Sequence, residues 1–125
     1  MRYSGHCHCG AVQFEVEAPE HLESHECNCS ICRMVGYQHL IVPRSSFHLL
    51  SDESALTTYT FNTGVARHYF CKTCGVKSFY IPRSNPDGIS VNVRCLDPYP
   101  EKLTLTPFDG QNWEQNAGDL KHLSQ

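Results

Sequence analysis

Cysteine spacing constrains this chain more than any other feature. Seven of its eight cysteines stand in three tight groups, Cys7-x-Cys9, Cys27-x-Cys29-x-x-Cys32 and Cys71-x-x-Cys74. Thiols so close in sequence are badly placed to bridge one another but well placed to aim at a common metal ion. Two pairs supply four sulfurs, a closed tetrahedral set of the structural kind, whereas a triplet leaves a fourth position for water or substrate. The spacing therefore predicts two metal sites of unequal completeness. Cys7, Cys9, Cys71 and Cys74 form the closed one, and Cys27, Cys29 and Cys32 the open one.

A disulfide scaffold is the rival reading of an even cysteine count. Against it, the opening residues Met1 to His6 lack a basic-then-apolar secretion signal, and no apolar run reaches membrane-spanning length. A reducing, cytoplasmic setting is expected, with no membrane partner. At 125 residues the chain suits one domain over 1–125, long enough to bury about two thirds of its unfolded surface. The formal charge of -3 and scattered Lys and Arg give no basic footprint, so nucleic acid is excluded as a partner. Nothing in the sequence specifies an oligomeric state.

Between the cysteines the pattern is that of strands and turns. Val12, Phe14 and Val16 alternate with Gln13, Glu15 and Glu17, a half-buried strand that Pro19 ends. Further strands are predicted over Gln38 to Val42, Leu56 to Phe61, Ala66 to Phe70, Val76 to Ile81, Ile89 to Val93 and Leu103 to Thr106. Asn62-Thr63-Gly64 supplies a turn that makes Leu56 to Phe61 and Ala66 to Phe70 a hairpin, delivering the chain into Cys71-Lys72-Thr73-Cys74-Gly75. The triplet lies in a loop from His25 to Ile31 that starts a short helix near Ser30. The tail after Trp113 reads as a brief helix or coil. The fold class is all-β, with packed antiparallel sheets and metal-binding knuckles.

Three thiolates make an electron-rich zinc, a weaker Lewis acid than one held by histidines. Holding an incoming thiol as thiolate suits such a metal better than ionising water, and a thiolate is competent to attack a carbonyl. The alternative is that Cys95 or a histidine completes the triplet as a second closed site; Cys95 otherwise reads as an ordinary buried thiol. His6, His8, His25 and His39 lie near the clusters and read as packing or supporting groups. Tyr37 and His39 follow the triplet and either donate a proton or pack on the sheet. Arg33, Arg44, Arg67 and Arg83 are equal candidates to pair with ligand carboxylates.

The series Gly5-His6-Cys7-His8-Cys9-Gly10-Ala11-Val12, Cys27-Asn28-Cys29-Ser30-Ile31-Cys32-Arg33 and Phe70-Cys71-Lys72-Thr73-Cys74-Gly75 resembles the glutathione-dependent formaldehyde-activating enzyme family. The stretches Thr57 to Thr63 and Ser78 to Pro86, with Cys95-Leu96-Asp97, are similar to its centromere protein V branch. The resemblance runs from Gly5 to about Trp113. It implies an Mss4-like fold with two Zn2+ ions, a structural one on Cys7, Cys9, Cys71 and Cys74 and a catalytic one on Cys27, Cys29 and Cys32. It implies glutathione as co-substrate and a carbon-sulfur lyase activity that forms or cleaves S-(hydroxymethyl)glutathione. The partners are then a small thiol and a small carbonyl compound. The long basic amino-terminal extension of centromere protein V has no counterpart here, so microtubule and chromatin roles do not carry over. A thiol-binding carrier without turnover and a structural interaction protein are the competing classes.

Overall fold

The computed structural model describes residues 1–61, 63–110 and 116–124, the side chain of Asp119 excepted. β2 (Gln13–Glu17) buries Phe14 and Val16 and leaves Gln13 and Glu17 exposed, as the alternation requires. It lies between β1 (Arg2–His6) and β5 (Phe47–Leu49) in a three-stranded antiparallel sheet. The other strands are β3 (Leu22–Cys27), β4 (Gln38–Pro43), β6 (Leu56–Tyr59), β7 (Arg67–Cys71), β8 (Phe79–Ile81), β9 (Gly88–Asn92) and β10 (Leu103–Phe108). They form one seven-stranded sheet in the order β10-β3-β4-β9-β8-β7-β6.

The expected hairpin is present: β6 pairs antiparallel with β7, Leu56 opposite Cys71. Asn62, in its turn, and Trp113 lie outside the described residues. One pairing departs from the expected antiparallel pattern, since β10 runs parallel to β3 and makes the sheet mixed. β10 arrives by a connection from the far side of β9 rather than through a hairpin, and such a crossover permits a parallel partner. Three strands had no clear sequence pattern. β1 buries only Gly5, β5 spans three residues, and β3 reads Leu-Glu-Ser-His-Glu-Cys because its second core-facing residue is Ser24. The segment before the triplet is therefore a strand to Cys27, where a loop from His25 was expected.

The two sheets pack face to face over Phe14, Val16, Leu22, Leu40, Val42, Phe79, Ile89 and Val91. Phe47 bridges them, its ring centroid 5.6 Å from Phe14 and 4.6 Å from Phe79. Every residue of β9 and all but the last of β4 are buried, which a strand with one wet face could not achieve. The second face is covered too. Strand alternation sends Leu40 and Val42 to the apolar core and His39 and Ile41 to the opposite face. Register then aligns His25 with His39, Tyr80 with Ser90, and His68 with Tyr80 across that outer face. One side of the large sheet is apolar, and the other carries a row of histidines, hydroxyls and Cys27.

Two short segments roof this polar row. Helix α1 (Ser30–Val35) begins at the expected residue and stops at Gly36, whose φ of 71° suits glycine and whose N–H reaches Cys32 O. The tail forms 3-10 turns over Ala117–Ser124. Leu120 packs on Ile41 and Phe108, and Asn85 Nδ2 donates to Leu120 O at 2.9 Å, so these turns are tied to the sheet.

Candidate metal centres and ligand cavity

The four paired cysteines converge. Cys7 and Cys9 lie between β1 and β2; Cys71 ends β7 and Cys74 sits in the following turn. One sulfur from each falls within 4.8 Å of all the others. Cys7 Sγ and Cys9 Sγ are 3.7 Å apart, and Cys9 Sγ and Cys71 Sγ 3.6 Å. A tetrahedron with Zn–S of about 2.3 Å has edges of about 3.8 Å, so the spacing fits zinc. Backbone N–H groups of Val12, Thr73 and Cys74 point at Cys7 or Cys71 sulfur at 3.3–3.5 Å. The Cys74 N–H, with that of Thr73, holds the Cys71 thiol below its ordinary range. All eight cysteines are free of disulfides.

The triplet gathers at the edge of the polar row. Cys27 ends β3, Cys29 caps α1 and Cys32 lies inside it. Sulfurs of Cys27 and Cys32 and one ring nitrogen of His39 lie mutually within 4.8 Å. Cys29 stands outside that tight set, yet its sulfur hydrogen-bonds with both other thiols: Cys27, then Cys32, pull its pKa down, while Cys29 pushes Cys27 up and Cys27, then Cys29, push Cys32 up. Three thiols so close together are a fitting donor set for a soft divalent metal, which displaces their protons.

His39, read from sequence as a supporting group, stands at the triplet. It is 5% exposed. Its Nδ1 lies 3.0 Å from Ser90 Oγ and 3.1 Å from Tyr80 Oη, whereas Nε2 is buried without a partner. Two hydroxyls thus occupy Nδ1, and Nε2 is the ring nitrogen without a protein hydrogen bond. Burial, helped by the charge of Lys77, pulls the His39 pKa down to about 3, so the ring is neutral. Gly110 closes the other side: a Cβ there would lie 2.2 Å from Cys27 Sγ and 3.0 Å from Cys29 Cβ.

Cys27, Cys29 and Cys32 open into a cavity of about 330 Å³, also lined by His25, His39, Phe61, His68, Tyr80, Arg83 and Phe108. None of the four paired cysteines lines it. Among the candidate arginines, only Arg83 reaches the wall; Arg44 instead donates to Pro86 O at 3.2 Å. Tyr37 is a packing residue, 2% exposed, its hydroxyl donating to Ser90 O at 2.6 Å. Cys95 joins neither cluster and lies in the apolar core, its Sγ 3.9 Å from Lys77 O. His6 pairs with Asp97 at 3.1 Å, away from the cavity.

Sequence reasoning passed over His68, Lys77 and Gly110. His68 had a signal, since it alternates with Tyr69 along the predicted strand and so faces away from the core. Lys77, three residues past the second pair, has none, because a lysine after a turn ordinarily reads as surface.

These features define a β-sheet protein with a cysteine-rich ligand cavity. The model of the glutathione-dependent formaldehyde-activating enzyme family matches residues 2–115, and the chain belongs to that family. A Halomonas elongata protein, named for the same activity, is 52% identical over 33 residues, which is 26% of this chain. The match spans only 21% of that relative's length. A Rhodobacter sphaeroides protein of known crystal structure is 38% identical, with a TM-score of 0.69 over 76% of this chain and 88% of its own. The fold is the mostly-β, Mss4-like one. No helix among the described residues is long and apolar enough to cross a membrane.

Proposed function

We propose that the chain is a single zinc-binding domain over 1–125 that acts as a carbon-sulfur lyase, forming or cleaving an S-hydroxymethyl-type adduct of glutathione. One observation carries the reading: the three-cysteine cluster opens into a cavity of small-molecule size, while the four-cysteine cluster does not line it. Cys7, Cys9, Cys71 and Cys74 hold a structural zinc, and Cys27, Cys29 and Cys32 a catalytic one. The catalytic metal, when bound, keeps the glutathione sulfur deprotonated and fixed in place. The chain supplies the rest. A ring nitrogen of His39 lies beside the same cluster, Gly110 leaves room for the sulfurs, and Phe61, Tyr80 and Phe108 give the cavity an aromatic wall. Arg83 is placed to meet a carboxylate of the tripeptide.

Bond formation needs no redox partner: sulfur attacks the carbonyl carbon, the carbonyl π pair moves to oxygen, and oxygen takes a proton. Because the addition is intrinsically easy, holding both reactants together is the main contribution of the protein. The segments Thr57 to Thr63 and Ser78 to Pro86 favour the centromere protein V-like branch, and the unpaired thiols favour the cytoplasm. The test is exchange of carbon-13 formaldehyde with glutathione, followed by NMR exchange spectroscopy. Exchange well above the uncatalysed rate supports a lyase. Saturable glutathione binding with no acceleration supports the carrier instead.

A further inference from the structure

His68 and Lys77 form a buried pair that no step above uses. Lys77 is 6% exposed and His68 4%. Lys77 Nζ lies 2.7 Å from His68 Nδ1, 3.8 Å from the centre of the Tyr80 ring and 4.8 Å from that of Tyr37. No carboxylate faces this ammonium within ion-pair distance among the described residues. Two aromatic faces and one imidazole nitrogen hold it instead.

The contact fixes the imidazole. An ammonium has only donors, so Nδ1 must accept and the ring proton must sit on Nε2. The ring plane is fixed as well, stacked on Tyr80 at 4.8 Å and 13° and on Phe61 at 5.4 Å and 21°. Nε2 is buried and has no protein partner. His68 lines the cavity shared with Cys27, Cys29 and Cys32, and Lys77 lies behind it, outside the lining. His68 is therefore a cavity-lining residue whose oriented Nε2–H is enclosed and has no protein acceptor.

We propose that His68 is the catalytic residue that delivers the proton to the carbonyl-derived oxygen of the adduct, and that Lys77 positions and recharges it. This rests on the lyase reading. As the glutathione thiolate bonds to carbon, the oxygen takes the Nε2 proton while Nδ1 takes one from Lys77 Nζ. Imidazole stays neutral and Lys77 becomes an amine. The thiol proton released on binding returns at Nε2 as Nδ1 hands its proton back to the Lys77 amine, which restores both groups, so the net change is one S–H exchanged for one O–H, with no further reactant. Adduct cleavage runs the same steps backwards. Burial, opposed by the nearby sulfurs of Cys32, Cys29 and Cys27, brings the Lys77 pKa down to about 8, close to where a proton reservoir works best at neutral pH. Burial, then the Lys77 charge, brings His68 to about 4, keeping it neutral.

Two measurements on the zinc-loaded full chain test this. Long-range nitrogen-15 NMR of labelled histidine reads the tautomer: wild type is expected to show Nε2–H at His68, and Lys77→Met to lose that preference. A wild-type Nδ1–H form, or an imidazolium at neutral pH, overturns the proposal even if variants misfold. Formaldehyde–glutathione exchange supplies the second readout. In His68→Ala it should fall about 100-fold or more, with glutathione affinity and metal content retained and partial rescue by added imidazole. Wild-type exchange in His68→Ala overturns the relay and leaves the lyase standing. No accelerated exchange in wild type overturns both.

Discussion

The two cysteine clusters use the same ligand chemistry in opposite surroundings. At Cys7, Cys9, Cys71 and Cys74, backbone N–H groups from tight turns close around the sulfurs, and the cluster joins the β1–β2 hairpin to the end of β7. At Cys27, Cys29 and Cys32, the neighbours are a neutral histidine, a glycine and a cavity. The first set is complete without any visitor. The second has three sulfurs and a path for a small molecule. Closure comes from what the backbone packs against the thiols, rather than from their number alone.

The largest effect should separate the clusters by stability. Cys71→Ser removes a ligand from the proposed structural zinc site, whose metal would contribute on the order of 10 kcal/mol of apparent binding energy, comparable with the whole stability of a domain. The variant is expected to lose its cooperative thermal transition in circular dichroism; a near-native transition would mean that this cluster does not support the fold. Cys29→Ser should do the reverse. Its melting stays close to wild type while glutathione-dependent exchange falls at least about 100-fold, and retained exchange would remove the triplet from the chemistry.

Gly110→Ala gives a smaller, local effect, because its Cβ would collide with Cys27 Sγ at 2.2 Å. Zinc affinity at the open cluster should fall by about ten- to a hundredfold in chelator competition, with the closed cluster unaffected. The smallest effect concerns pH. The folded Lys77 titrates near 8 against 10.5 for a free lysine, so between those values the unfolded chain binds more protons and stability rises with pH. That contribution is complete above about 10.5 and absent below about 8. The melting midpoint of zinc-loaded wild type should rise by several degrees from pH 8 to pH 10 relative to Lys77→Met. Parallel curves would place the Lys77 charge in solvent.

How much of this was legible in the sequence follows from what each feature needs. The closed cluster depends on short-range spacing, so Cys7-x-Cys9 and Cys71-x-x-Cys74 revealed it directly. Strands with one wet face, such as Gln13–Glu17, showed their alternation. β3 did not, because Ser24 faces the core and β10 and β4 bury its edges. The cavity wall was the least visible. His39, His68 and Tyr80 meet only through the register of β4, β9, β8 and β7, segments far apart in the chain. Lys77 is recognisable only once the rings of Tyr37 and Tyr80 and the Nδ1 of His68 surround it.

The difference between a closed and an open cluster is tested most directly by titrating glutathione into protein whose zinc has been replaced by cobalt(II), following sulfur-to-cobalt charge-transfer absorption. The band should grow and saturate at about one glutathione per chain, as one thiolate joins the three-cysteine site, and Cys29→Ser should abolish the change. An unchanged spectrum at saturating glutathione would show both clusters closed to thiols and contradict the division of labour between them.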